Sequence, residues 1–458
     1  MKNDEIELQI EDLSVNGDGI GHADGKAFFV PGALPGDFIR AGITKEMRSY
    51  SFARIIKIIS PSADRIEPRC PLASKCGGCQ LQSMKYEAQL LWKENHVKDL
   101  LERVGGFERD EVDKVTCHVI GMEEPWRYRN KAQYPVRSDR YGNIVTGFYA
   151  RHSHRVVPCH DCLIGSEKDQ KLLDTVISWM KRNHIRPYDE DKNKGLIRHV
   201  LIRHAAHTGE TMVCLIASSN IPDADGLSED LMACGVESVV LNINKTKGNV
   251  ILGRETRVLA GQERIFDKIF DLSFAISARS FFQVNPVQTE RLYGKAIEFA
   301  GLTGLQNVYD LYCGTGTITL CLAEKASHVT GIEIVDDAVR DAKDNAKRNG
   351  IRNVSFYSGA TEKILPDLIK EKRADVVVMD PPRKGCDRKV IDAVMESKPD
   401  RVIYVSCDPA TLARDLGIMK SEYDLIAVQP VDMFPETVGI ENVCCMTRKN
   451  RKGKHEEV

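Results

Sequence analysis

The chain lacks any marked charge excess. Its 64 lysines and arginines nearly offset 66 aspartates and glutamates, leaving a net charge of −2 over 458 residues. Bulk composition therefore announces no nucleic-acid partner, and any cationic footprint has to be local. There is no uninterrupted apolar run near the roughly 18 residues of a membrane span, so no membrane partner is expected. The opening "MKNDEIELQIEDL" has neither the cationic stretch nor the apolar core of a secretory leader, which implies a cytoplasmic protein. No internal repeat recurs. The only biased tract is the polar "RKNRKGKHEEV" at 448–458, expected to be disordered.

What is present exceeds a single core, so the chain should divide into domains. Residues 1–60 read as short strands, with alternation in "IELQIEDL" and turns at Asn16-Gly17, Asp18-Gly19, Pro31-Gly32 and Pro35-Gly36, which implies a small β-barrel. Residues 61–280 open on "SPSADRIEPRC" and a cysteine cluster. An amphipathic helix, "MKYEAQLLWKENHVKDLLERVGG", follows, and then mixed elements without a clear period. Residues 281–458 alternate strand and helix: "NVYDLYCG", "HVTGIEI", "NVSFYSG", "DVVVMD" and "RVIYVSC" are short apolar strands. That pattern predicts a doubly wound, Rossmann-like parallel sheet. The final pair, "YDLIAVQPVD" and "ENVCCMTRK", should pair antiparallel, as in methyltransferase sheets rather than dehydrogenases.

Asp310-Leu-Tyr-Cys-Gly-Thr-Gly-Thr317 forms the first strand-to-helix turn, with Thr319 where a dinucleotide fingerprint has its third glycine. A bare GxG is as often a tight turn as a cofactor loop. Glu333 ends the second strand, where an acidic residue grips ribose hydroxyls, and Asp380 leaves the fourth. Carboxylates at three strand ends, with no pyrophosphate cradle, favour S-adenosylmethionine over NAD. Among the fourteen cysteines, Cys70, Cys76 and Cys79 fall within ten residues, and "RVVPCHDCLIG" offers Cys159 or Cys162 as a fourth thiol. In a reducing compartment such a cluster suggests a metal, iron–sulfur or zinc, rather than disulfides. Cys407, in "VIYVSCDPATLARD", stands at a strand mouth where an open sheet meets its ligands. A buried core thiol is the bland alternative to a nucleophile there.

Together these residues resemble the RNA (uracil-5-)-methyltransferases, especially their iron–sulfur ribosomal RNA branch. The likeness covers nearly the whole chain: a TRAM-like "VNGDGIGHADGKAFFVPGALPGD", then "SFFQVNPVQTERLY", "DLYCGTGTITL", "DPPRKG", "SCDPATLARD" and "DMFPETVGIENV" in family order. The resemblance implies an RNA-binding TRAM barrel at 1–60, a central domain at 61–280 and a catalytic domain at 281–458. It implies a [4Fe–4S] cluster on Cys70, Cys76, Cys79 and Cys162, the last preferred to Cys159 because "LI" follows it. S-adenosylmethionine contacts are implied at Gln283, Tyr312, Glu333 and Asp380, with Cys407 as nucleophile and Glu441 as general base. A monomeric enzyme acting on 23S ribosomal RNA is expected. The family often carries a histidine two residues before that glutamate, where this chain has Gly439.

The chemistry suits these residue types. Uracil C5 becomes nucleophilic only after a thiolate adds to C6, and a carboxylate must later remove the C5 proton. The base must leave its stack, and Phe281 or Phe282 could receive it. Arg127, Arg129, Lys131 and Arg137 in "WRYRNKAQYPVR" supply a basic, aromatic-laced strip for RNA, or simply a solvated strand. Three rivals remain: a transfer RNA uracil-5-methyltransferase, an N-methyltransferase, and a non-catalytic RNA-binding iron–sulfur protein. The last two leave Cys407 and Glu441 without work.

Overall fold

The computed structural model describes residues 5–151 and 153–449. The polar tail from residue 450, and residues 1–4 of the segment read for a leader, lie outside them.

Five strands, β1 (Glu5–Leu13), β2 (Asp18–Ala23), β3 (Lys26–Pro31), β4 (Phe38–Glu46) and β5 (Tyr50–Ser60), close into a barrel. Closure comes from β4 pairing back onto β1, with Leu8 opposite Ile39. The alternation expected in "IELQIEDL" turns Leu8 and Ile10 inward against Phe28, Val30 and Ile39. At Gly19 the wall is so tight that a Cβ would meet the Ala33 carbonyl at 2.7 Å.

Helices α1 (Tyr86–Arg103) and α2 (Arg109–Val115) follow the cysteine cluster. Strands β6 (Lys131–Ser138), β7 (Ile144–Tyr149) and β8 (Val156–Pro158), helix α3 (Asp169–Arg182), and strands β9 (Ile197–His204) and β10 (Thr211–Ala217) come next. Helix α4 (Ala224–Met232) and strands β11 (Ser238–Ile243) and β12 (Glu255–Gly261) complete the region. The seven strands form one sheet in the order β12-β11-β10-β9-β6-β7-β8. On one face Trp179, Val176 and Leu227 pack against Val200, Ile202 and Leu215. On the other, Leu201, Met212 and Ile216 share a core with Leu292 and Ile318 of the last region. A sheet buried on both sides shows no period of two, which is why this stretch was opaque as sequence.

A hairpin, β13 (Ile265–Ile269) and β14 (Leu272–Ile276), and helix α5 (Pro286–Ala300) lead into the last sheet. Its elements are β15 (Asn307–Leu311), α6 (Thr317–Ala323), β16 (His328–Glu333), α7 (Asp336–Arg348), β17 (Val354–Ser358), α8 (Thr361–Glu371) and β18 (Val376–Met379). They continue through α9 (Arg388–Ser397), β19 (Arg401–Ser406), α10 (Pro409–Met419), β20 (Tyr423–Val431) and β21 (Glu441–Arg448). The strand order is β17-β16-β15-β18-β19-β21-β20, with β21 antiparallel to both neighbours, as the sequence pattern predicts. Val97 and Leu101 of α1 and Val112 of α2 join the core formed by Val402, Leu416 and Val428. Both helices therefore pack on this sheet rather than on the central one. Among the described residues no helix is long and apolar enough to cross a membrane.

Candidate active site

Cys407 leaves the carboxyl end of β19, and α10 begins two residues later. Asp408 caps that helix, accepting from the N–H groups of Ala410 (3.1 Å) and Thr411 (3.0 Å), which fixes the turn carrying the thiol. The antiparallel register sets Ser406 opposite Asn442, so Cys407 and Glu441 face each other at the next position. Glu441 is buried, at 4% exposure. Burial, with Asp380 nearby, pushes its carboxyl well above the usual range, while Arg383 pulls it down. Burial and the Glu441 charge push the Cys407 thiol up to about 11, and the Arg383 charge opposes them. A thiol, a proton-hungry carboxylate and one cation thus share the same edge of the sheet.

The donor side is built on the first turn. Tyr312 adopts a left-handed φ of 68°, a backbone state that side chains avoid outside functional turns. Gly314 is likewise left-handed, and a Cβ built on it meets nothing within 4 Å, so the turn opens onto free space for a ligand. Glu333 accepts the N–H groups of Gly314 (3.1 Å) and Val335 (2.9 Å), fastening the second strand end to the glycine turn. Burial raises the Asp310 carboxyl to about 7 against the Thr319 hydroxyl, and one of its oxygens has no partner among the described residues. Burial also lifts Asp380 to about 7. Gly314, Thr315 and Glu333 line a cavity of about 460 Å³, with exposed Phe281 at its wall. Gln283, Tyr312 and Asp380 stand outside that lining. Gln283 is buried, and its backbone carbonyl accepts from Asn130 at 3.0 Å. These features fit a nucleoside-type donor at the β15–α6 turn.

The expected cluster ligands are brought to one place but not to one point. Cys70, Cys76, Cys79, Cys159 and Cys162 all line a cavity of about 410 Å³, with Leu72, Phe148 and Ile164 among its apolar walls. Among the described residues, no three His, Cys, Asp or Glu side chains converge closely enough to hold a single metal ion. The neighbouring Cys159 thiol lowers Cys162 to about 7, against the effect of burial. The pairing with Cys162, and burial, push the Cys159 thiol up.

A third cavity, of about 930 Å³, joins the parts of the chain. Cys407 and Arg383 meet there with Asn16 of the barrel, Gly78 of the cysteine loop and Arg129 of the central region. Of the basic strip, only Arg129 faces this space. Arg127 pairs with Asp161 at 2.6 Å and Arg137 with Glu190 at 2.7 Å, so both are structural. Lys131 lines the cysteine cavity, where burial lowers it to about 8. Phe281 is 68% exposed, whereas Phe282 is buried against Phe274.

A family model described as tRNA (Uracil-5-)-methyltransferase matches residues 86–449, and a TRAM domain model matches residues 1–56. The chain belongs to the tRNA (uracil-5-)-methyltransferase family. It is by that membership an S-adenosylmethionine-dependent RNA methyltransferase with an N-terminal TRAM barrel. An uncharacterized RNA methyltransferase of Halalkalibacterium halodurans is 48% identical over 455 residues, 98% of each chain. One from Listeria innocua is 46% identical over 452 residues, again 98% of each. Among solved structures, the Pyrococcus abyssi tRNA (uracil-54, C5)-methyltransferase in complex with S-adenosyl-L-homocysteine superposes with a TM-score of 0.77 at 25% identity. That alignment covers 96% of this chain and 100% of the other.

Two features of this uracil-5-methyltransferase site escaped the sequence. Arg383 carried no assigned role in "DPPRKG", and the fold brings it to the cavity that Cys407 lines. At Gly439, the position where the family often has histidine, an added side chain would press on the Phe434 ring. A Cβ there would meet the Phe434 ring at 3.0 Å. Phe434 fills the space instead, with the Arg129 guanidinium 6.0 Å from its centre.

Proposed function

We propose that this protein transfers a methyl group to C5 of a uridine in 23S ribosomal RNA, through a covalent bond between Cys407 and uracil C6. The observation that carries the reading is Cys407, beside Arg383 at the 930 Å³ cavity that all three parts of the chain share, with the buried Glu441 next in register across the strand pair. Bound S-adenosylmethionine supplies an electrophilic methyl group. Cys407 attacks C6 of the flipped uracil as the thiolate, and Arg383 stabilises that charged form beside it. The addition moves electron density onto C5, which takes the methyl. Glu441 then removes the C5 proton, and its raised pKa suits it to hold that proton; expulsion of the thiolate restores the ring. Glu333, Tyr312, Gln283 and Asp380 hold the donor in this reading, with Glu333 on the ribose hydroxyls.

We further infer that Cys70, Cys76, Cys79 and Cys162 hold a [4Fe–4S] cluster. Thiols ringing an apolar cavity suit a group of several irons better than one zinc, which keeps each sulfur about 2.3 Å away. Cys162 is favoured over Cys159 because the family's fourth cysteine is followed by short apolar residues, as Cys162 is by Leu163 and Ile164. Ribosomal RNA is preferred because the cysteine motif resembles that of the family's iron–sulfur ribosomal RNA branch. Transfer RNA is the second reading, favoured by the likeness to the archaeal transfer RNA enzyme. We expect a cytoplasmic monomer.

The test is methylation by anaerobically purified protein of ribosomal and transfer RNA from a strain lacking the gene, with 5-methyluridine mapped in each. Signal in ribosomal RNA alone, with iron and sulfide in the protein, is expected. Signal confined to transfer RNA overturns the substrate assignment, and stoichiometric zinc without iron overturns the cluster.

A further inference from the structure

The mechanism uses the cysteine of "SCDPATLARD" but leaves its last two residues idle. Asp415 has no exposed surface, and it lies outside the lining of the cavity that Cys407 faces. Its carboxylate is nonetheless fully engaged. One oxygen accepts from the Cys386 N–H at 2.8 Å and the Tyr404 hydroxyl at 2.6 Å. The other accepts from Arg414 Nε at 2.7 Å. Arg414 in turn donates to the carbonyls of Lys384 (3.1 Å) and Cys386 (3.4 Å). One turn earlier on α10, the Thr411 hydroxyl donates to the carbonyl of Arg383 at 3.1 Å. Backbone groups of residues 383, 384 and 386 are therefore gripped by two consecutive turns of one helix.

The grip is close. Gly385 has a φ of 74°, and a Cβ there would lie 2.5 Å from Arg414 Nη2 and 2.7 Å from the Asp415 carboxylate. A buried carboxylate meeting both a guanidinium and a backbone N–H is a strong, directional anchor. The helix that supplies it is the one that begins just after Cys407. Thiol and cation thus hang from the same rod: Cys407 through the chain, Arg383 through the loop that α10 clasps.

We propose that Asp415 and Arg414 are positioning residues that hold loop 383–386 on α10 and so keep Arg383 at the Cys407 thiol. The inference rests on the proposed nucleophile only for its kinetic consequence, since the thiol's reactivity is measured without RNA. A buried anchor serving stability alone would lower the melting temperature and leave that reactivity unchanged.

The experiment measures iodoacetamide alkylation of Cys407 in the full-length protein at several pH values, quantified by peptide mass spectrometry. Arg383→Met should slow alkylation at pH 8 by about tenfold, the loss of a neighbouring cation raising the thiol by about one pH unit. Asp415→Asn should slow it in the same direction, Thr411→Val less so, and the double variant Asp415→Asn/Arg383→Met no further than Arg383→Met alone. Turnover should fall with alkylation, while KM for the methyl donor stays unchanged. Wild-type alkylation in Asp415→Asn, or additive slowing in the double variant, overturns the proposal. If Asp415→Asn does not fold, a wild-type profile in Thr411→Val does the same. A Cys407→Ala enzyme that still methylates RNA would defeat the nucleophile reading and leave these alkylation results standing.

Discussion

Glu441 and Asp310 are buried carboxyl groups, and Asp380 and the Cys407 thiol beside them are half-buried. Charged forms are penalised there, so the acids titrate high. Asp310 and Asp380 both rise from about 4 to about 7. Because the folded state binds these protons more tightly than the unfolded chain, they contribute stability that is fully present below pH 4. That contribution is lost as pH rises through 7. The donor-free protein should therefore melt at lower temperature at pH 7.5 than at pH 5, and Asp310→Asn should reduce the difference. Calorimetric scans across that range check it; an undiminished difference in Asp310→Asn would show that the buried carboxyl is not its source. Glu333, Asp380 and Cys407 drew notice as sequence because chemistry-bearing residues at strand ends stand out against apolar strands, whereas Glu441 came only from the family resemblance. Arg383 was not, since nothing in "DPPRKG" tells whether an arginine points to water or to a sulfur.

The segment from Asp432 to Glu441, which delivers the base, is held from several sides. Lys93 of α1 pairs with Asp432 at 2.6 Å, with neither side chain exposed. The Tyr86 hydroxyl donates to the other Asp432 oxygen at 2.9 Å, and Gln288 of α5 donates to the Asp432 carbonyl at 3.0 Å. Glu436, at a left-handed φ of 68°, is bound through its carboxylate to Gln89 at 3.2 Å. Breaking such a buried pair by removing one partner leaves an uncompensated charge and costs about 3–5 kcal/mol. Lys93→Met should lose stability of that order in urea titrations, and adding Asp432→Leu should recover part of it. A loss below about 1 kcal/mol would mean that the pair does not clamp the loop. Helix α1 was expected from its period, yet its buried face includes Gln89, Lys93 and Glu94, while Leu91 is exposed. Amphipathic reasoning locates such a helix but inverts part of its face, because pairing with a distant loop compensates the buried polar groups.

Across the whole molecule, the barrel, the cysteine loop and the two sheets close around one cavity. The barrel is tied to the central region by Arg151, which pairs with Asp18 at 3.1 Å. None of this convergence was visible along the chain: the barrel and the last sheet were legible by their own patterns and the central sheet was not, and the meeting of Asn16, Gly78, Arg129 and Cys407 depends on tertiary packing. The central claim is that this cavity holds a flipped uridine while Cys407 bonds to it and Glu441 later takes its C5 proton. The most direct test is Glu441→Gln incubated with substrate RNA and methyl-labelled S-adenosylmethionine, analysed on a denaturing gel. Methylation should occur once and elimination should stall, giving a slow-migrating protein–RNA band that carries label and vanishes when Cys407→Ala is added. A double variant that still forms the labelled band, or a Cys407→Ala enzyme with normal methylation, would contradict the account.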